Sequence, residues 1–240
     1  MRERDCELLI DECREMMRSI EDRISYYFNH TTNDEIKIPK VKSFLEHCRS
    51  ILEYCAKDIF ENIISDDERI NKLNSEQKNI YFPYGKKKFQ FERSIRFNLP
   101  KLYRNREVYK LLENLQDFKR SREDQFLYYM CFLTNENKHE EISKQGRKIT
   151  GTNIGGLIEI SNNAHVNING LNINGVTLGN FSVEQGEITN PSNPELFSQI
   201  FIYKEGYLVF KDSDKPVLLF LKQCLEEVDK FQNELYKLIN

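Results

Sequence analysis

The sequence predicts an α+β protein: an N-terminal helical bundle, then an antiparallel β-region closed by a long C-terminal helix able to pack back on the bundle. Three observations carry this. Residues 1–150 hold 29 Lys and Arg against 27 Asp and Glu, whereas residues 151–240 hold 6 against 11. Apolar side chains recur every three or four residues before about position 148 and alternate after it. The residue types change at the same place, from Leu, Glu, Lys and Arg to Gly, Asn and β-branched residues in GTNIGGLIEISNNAHVNING. The boundary falls near 146–153, around Gly146 and Gly151, which gives a helical domain over 1–148 and a β-rich region with its C-terminal helix over 149–240.

In order along the chain, Leu9, Cys13, Met16, Ile20, Ile24 and Tyr27 form the stripe of an amphipathic helix over about 5–28. Val41, Phe44, Cys48, Ile51, Cys55, Ile59 and Ile63 form a second over 41–64, with Pro39 just ahead, where a proline is tolerated. The polar stretch 65–79 reads as a loop with at most a turn of helix. A third helix is expected after Pro100, carrying Val108, Leu111, Leu112, Leu115 and Phe118. A fourth is expected from Ser121, whose hydroxyl can cap while Asp124 reaches back, and it runs on toward Lys144.

Alternation then predicts strands. Leu157, Glu159 and Ser161 face one way, Ile158 and Ile160 the other. Two copies of Asn-Ile-Asn-Gly, at 167–170 and 172–175, suggest a meander with Asn-Gly turns. Residues 197–212 read as a hairpin turning at Glu205-Gly206. After Pro216, Leu219, Leu221, Cys224, Leu225, Val228, Phe231, Leu235 and Leu238 mark the last helix.

Composition narrows the function classes. With 240 residues, 39% hydrophobic and 30% charged, the chain is long enough to bury a core, and a net charge of -3 is not a uniformly basic coat. No run approaches the ~18 apolar residues that span a bilayer. The N-terminus MRERDCELLIDECREMM lacks the apolar stretch of a signal peptide, so a cytoplasmic location is expected, with the six cysteines reduced. Cys6 and Cys13, like Cys48 and Cys55, are seven apart. Two helical turns separate such sulfurs by about 10.5 Å, too far to share one zinc. Core packing is the expectation, with no metal and no cofactor.

Residues 86–106 carry Lys86, Lys87, Lys88, Arg93, Arg96, Lys101, Arg104 and Arg106 against Glu92 as the one intervening acid, interleaved with Phe89, Phe91, Phe97 and Tyr103. Cations neutralise phosphates and rings stack on bases, so this composition suits nucleic acid. The same segment also fits an acidic protein partner, or an irregular connection with its aromatics buried and its cations solvated.

A second candidate is Thr134-Asn135-Glu136-Asn137-Lys138-His139, in which Asn135 and His139 are one helical turn apart. It follows Arg49-Ser50-Ile51-Leu52-Glu53, Tyr81-Phe82-Pro83, Asn98-Leu99-Pro100, Leu111-Leu112-Glu113 and Gln116-Asp117-Phe118. That order resembles uncharacterised bacterial proteins with a degenerate HEPN-like helical domain, a superfamily of small bundles common in toxin–antitoxin and phage-defence systems. The resemblance covers about residues 1–145. It implies a metal-independent endoribonuclease, dimeric in its active members, with an Arg-polar-x-x-x-His motif whose histidine falls on His139 and polar position on Asn135. The arginine position is Thr134, which cannot place a cation on developing phosphate charge. Lys138, Asn135 or a basic-segment arginine are the candidate substitutes; otherwise His139 is a helix-terminal histidine bonded to a neighbour.

Three functions follow as expectations. The first is a non-catalytic module binding RNA or other nucleic acid through Lys86, Lys87, Lys88, Arg93, Arg96, Arg104 and Arg106, in a bacterial defence or stress system. The second is an endoribonuclease using His139. The third is a homodimeric scaffold holding a protein partner on its β-region.

Overall fold

The computed structural model describes residues 1–30, 35–76, 78–139, 144–173, 175–200 and 202–240. It is α+β, with seven α-helices and nine strands in small antiparallel sheets among those residues. The chain forms two compact units that do not follow its order: one holds residues 1–20, 38–143 and 218–240, the other 21–37 and 144–217. The C-terminal helix therefore counts with the helices rather than with the β-region. No helix of the described residues is long and apolar enough to cross a membrane.

The helical unit rests on α1 (Glu3–His30) as far as Ile20, on α2 (Pro39–Asn62) and on α7 (Val217–Ile239) from Leu218 onward. In α1 the buried line is Cys6, Ile10, Cys13, Met17, Ile20 and Ile24, with Leu9 and Met16 flanking it. In α2 the buried line runs from Val41 to Ile59 as the spacing predicts, with Pro39 at its first position. Cys6 lies against Cys55 and Cys13 against Cys48, so the two helices run antiparallel and the thiols spaced two turns apart meet across the interface. All six cysteines are free and buried. In α7 the buried line is Phe220, Leu221, Cys224, Val228, Phe231, Leu235 and Tyr236, while Leu219 and Leu238 are exposed.

At the heart of this unit the Asp58 carboxylate is fully buried. It accepts from the Arg2 backbone N–H at 2.6 Å, the Arg2 Nη1 at 2.6 Å and the Tyr236 hydroxyl at 2.8 Å. A charge out of water is tolerated only with partners of this kind. Burial, with the Cys55 and Cys6 thiols and Asp58 around it, pushes the Tyr236 hydroxyl far above its ordinary pKa, so it stays a donor.

The connecting elements depart from expectation. Residues 66–73, read as loop, form α3 (Asp66–Leu73): Asp66, Asp67 and Glu68 occupy its first turn and Lys72 its last, the arrangement the helix dipole favours. The basic segment, read as irregular, contains α4 (Lys88–Asn98), whose Phe91, Ile95 and Asn98 are buried on one side. The helix expected after Pro100 begins later. Lys101 takes a left-handed backbone, a 3-10 turn follows over Leu102–Arg104, and α5 spans Arg106–Asn114 with the Asn105 side chain accepting from Val108 N at 3.1 Å. Phe118 lies beyond it, in a second 3-10 turn, Asp117–Lys119. Ser121 and Asp124 do bond each other, at 2.6 Å, but they close a turn. The fourth predicted helix, α6 (Leu127–His139), starts later, and its cap is Asp117, whose carboxylate accepts from the N–H groups of Phe126, Leu127 and Tyr128 at 2.9, 3.0 and 2.8 Å.

In the other unit, β2 (Gln145–Ile154) is central. It pairs along its length with β9 (Ile202–Phe210), and on its other edge with β1 (Glu35–Ile36) and β3 (Ile158–Ser161). Glu205-Gly206 is therefore mid-strand and not a hairpin turn. A bulge between Ile149 and Gly151 shifts the register there, and a Cβ on Gly206 would lie 2.2 Å from the Lys148 carbonyl oxygen. The glycine serves close approach of two backbones. β4 (His165–Ile168) pairs with β7 (Phe181–Glu184), and β5 (Asn172–Ile173) with β6 (Val176–Thr177), in one continuous register from His165↔Glu184 to Ile173↔Val176. These four strands form one long hairpin that turns between Ile173 and Val176, with the first Asn-Ile-Asn-Gly in its stem and not at a turn, and the strand that follows completes the expected meander. β8 (Glu187–Thr189) follows through a tight turn with positive φ at Gln185 and Gly186. The core of this unit is Ile154, Ile160, Ile173, Leu178, Phe181 and Val183.

Candidate nucleic-acid interface

The segment 79–87, which has no regular structure of its own, leads into α4 and is held by two helices and by a residue just beyond a third. Glu53 of α2 accepts from Phe82 N at 2.6 Å, and Asn98 of α4 accepts from Tyr81 N at 3.1 Å. Gln116, just beyond α5 and fully buried, accepts from Gly85 N at 3.2 Å and donates to the carbonyls of Pro83 and Leu112 at 3.3 and 3.0 Å. Glu53, Asn98 and Gln116 all belong to the short motifs picked out in the sequence. Here they share one task, bracing the strand of chain that enters α4.

On α4 the outward stripe is Phe89, Arg93, Arg96 and Phe97, at i, i+4, i+7 and i+8, opposite the buried Phe91, Ile95 and Asn98. Phe89 is 62% exposed, Phe97 49% and, in the adjoining turn, Tyr103 59%. Of the interleaved aromatics only Phe91 is core, packed on Tyr109 and Phe118. The cations divide. Lys88 is engaged with Glu113 at 3.5 Å and Glu92 at 4.0 Å. The Lys86 ammonium sits over the Tyr128 ring at 5.7 Å, and Lys87 is exposed. Arg93, Arg96, Arg104 and Arg106 are exposed, and none has a carboxylate partner among the described residues.

The second candidate lies on α6. The side chains of Lys138 and His139 fall outside the described residues. Asn135 donates to the Tyr84 hydroxyl at 3.2 Å. Thr134 is buried, its hydroxyl donating to the Cys131 carbonyl at 2.9 Å. Both line a cavity of about 420 Å³ with Arg49, Ser50, Glu53 and Tyr81. An arginine thus lines the same cavity as Thr134, which stands where the motif has its arginine, a feature that spacing along the chain does not reveal. Its donors are committed, however. Nε and Nη2 of Arg49 bond one Glu53 oxygen at 2.7 and 2.6 Å, Nη1 bonds the Cys131 sulfur, and the guanidinium stacks 4.8 Å from the Tyr84 ring centroid. Burial pushes the Cys131 thiol up to about 12 despite that arginine, so it remains protonated.

One further residue had no signal in the sequence. Lys72 of α3, in an acidic polar stretch, is 8% exposed and places its ammonium 4.4 Å from the Phe97 ring centroid. His165, in the β-unit, lies 3.1 Å from Glu184, and both side chains are exposed. Among the described residues no group of three or more His, Cys, Asp or Glu is placed to hold a metal ion. Comparison with protein-family models, curated proteins and solved structures found no match to this chain.

Proposed function

We propose that this protein is a non-catalytic HEPN-like module that binds RNA or another nucleic acid through α4 and the turn after it, in the bacterial defence or stress setting that the sequence resemblance implies. The observation that supports it is the exposed set Arg93, Arg96, Arg104 and Arg106, without carboxylate partners and interleaved with exposed Phe89, Phe97 and Tyr103. Unneutralised guanidinium groups release counterions from a phosphate chain, and exposed rings accept any base by stacking. A merely solvated edge would need its aromatics inward, and three of the four face out. Fluorescence anisotropy with labelled single-stranded RNA across a salt series tests the reading. Log K should fall linearly with log salt, and replacing the four arginines by glutamine should lower that slope by about 3, from ~0.7 for each single-strand phosphate contact. Salt-independent binding, or none, would remove it.

The second reading is metal-independent RNA cleavage at His139. It draws support from Arg49 lining the same cavity as Thr134 and Asn135. The commitment of that guanidinium to Glu53 and Cys131 weighs against it. A denaturing gel in EDTA that compares wild type with His139→Ala and Arg49→Lys decides between the two. RNA left intact in every lane retires cleavage, and cleavage lost in both variants establishes it.

A further inference from the structure

A pocket of about 480 Å³ opens between α3 and the C-terminal part of α4. Lys72, Ser75, Arg96 and Phe97 line it, with Glu68 and Glu76. Lys72 is more than nine-tenths buried and has no carboxylate partner among the described residues. An ammonium withdrawn from water without an anion is costly, and the Phe97 ring compensates in part only. Burial accordingly draws the Lys72 pKa below its ordinary value. Arg96 is likewise without a carboxylate. Of the two acids, Glu68 is paired with Lys101, and Glu76 is exposed at the edge of the pocket. Two unneutralised cations lining one pocket from two helices, beside a half-exposed ring, make a place for an anion.

We infer that Lys72 and Arg96 together clamp one phosphate of the strand that α4 binds, with Phe97 supplying ring surface beside it. The inference rests on the nucleic-acid reading above and makes it specific. α4 offers a solvated stripe along its outer face, and this pocket adds one fixed seat that sets where the backbone enters. Glu76 at the rim repels a phosphate, so Glu76→Gln should tighten binding.

The test repeats the anisotropy salt series with Lys72→Met, Arg96→Gln and the double variant. Methionine keeps an unbranched apolar stem against Phe97, and removal of an unpaired buried charge should leave the fold at least as stable. Each single variant should lower the salt slope by about 0.7, and the double variant also by about 0.7, because one phosphate is lost in every case. Lys72→Met combined with Arg93→Gln should lower it by about 1.4, two phosphates being lost. If wild type binds RNA with the expected salt dependence but Lys72→Met keeps the full slope, the clamp is wrong while the α4 reading stands. Additive losses in the Lys72/Arg96 double variant would place the two cations on separate phosphates and overturn the shared seat. If wild type shows no salt-dependent RNA binding, both readings fall. Adenosine monophosphate supplies the other source of the same chemistry. Tight binding of it by a protein indifferent to RNA, lost in Lys72→Met, would assign the pocket to a free nucleotide and overturn the strand. If Lys72→Met proves unstable, Lys72→Gln takes its place in both the single and the double variant, because the loss in Arg96→Gln alone follows from the α4 reading with or without the shared seat.

Discussion

Single side chains in this protein carry obligations that their neighbours in sequence do not announce. Tyr236 donates to the buried Asp58 carboxylate, which Arg2 otherwise satisfies. Tyr236→Phe removes one donor and strands part of a buried charge. A loss of about 1–3 kcal/mol is expected in urea unfolding, and a change within ±0.5 kcal/mol would show that Arg2 suffices. A second case depends on pH. The Arg120 guanidinium, 2.5 Å from Glu227, holds that carboxyl below its usual range. A folded-state pKa below the unfolded one means that the ion pair stabilises above the ordinary carboxyl pKa and that this contribution is lost as pH falls through the lowered value. Arg120 Nε is already buried without a partner among the described residues. Glu227→Gln should therefore melt below wild type at pH 7, with the gap closing below about pH 4.5, the ordinary carboxyl value. A gap that persists in acid would point to lost packing instead.

Helices and strands were legible where their apolar pattern was long and local. α1, α2 and α7 each carry a sustained stripe, and the structure buries nearly the residues that stripe selects. α4 was not legible as a helix, because an eleven-residue element with Phe91 and Ile95 inward gives too few repeats to outweigh its cations and exposed rings. The strand β9 was misread because Gly206 signals a turn in sequence, yet it answers to a bulge in β2, more than fifty residues away. The start of α6 was misread for a similar reason: Ser121 offered a local cap, and Asp117 supplies the one the helix uses. Asp117→Ala leaves three N–H groups at that helix end without their acceptor. It should lower stability by about 1–3 kcal/mol in chemical denaturation, and it should disturb the amides of 126–135 in an NMR spectrum more than those of α7. Unaltered amide shifts at Phe126–Tyr128 would contradict the cap. The basic site shows the same split. Its arginines and rings could be read from the chain, while their exposure, and the lysine beneath Phe97, depended on how α3 and α4 meet.

At the scale of the whole chain, the two units are interleaved in sequence, so the boundary near 148 that composition marks is real for residue type and incomplete for packing. Residues 218–240 fold with residues 1–20 and 38–143, and Tyr236 reaches both Cys6, at 3.5 Å, and Asp58. A chain ending at Ser213 would leave Cys6, Cys55 and Asp58 without Tyr236 and the face of α7. It should melt without a sharp transition in the helical circular-dichroism signal, and a cooperative transition near that of the full chain would show the helical unit to be independent of α7. The same arrangement sets a timetable for synthesis on the ribosome. The early helices emerge first but cannot complete their unit until the last helix leaves the exit tunnel, well after the whole β-unit has been made. Nascent chains therefore hold apolar helix faces open from the synthesis of α2 until that of α7, a period in which holding chaperones have their substrate and premature termination yields a product that the cell should degrade.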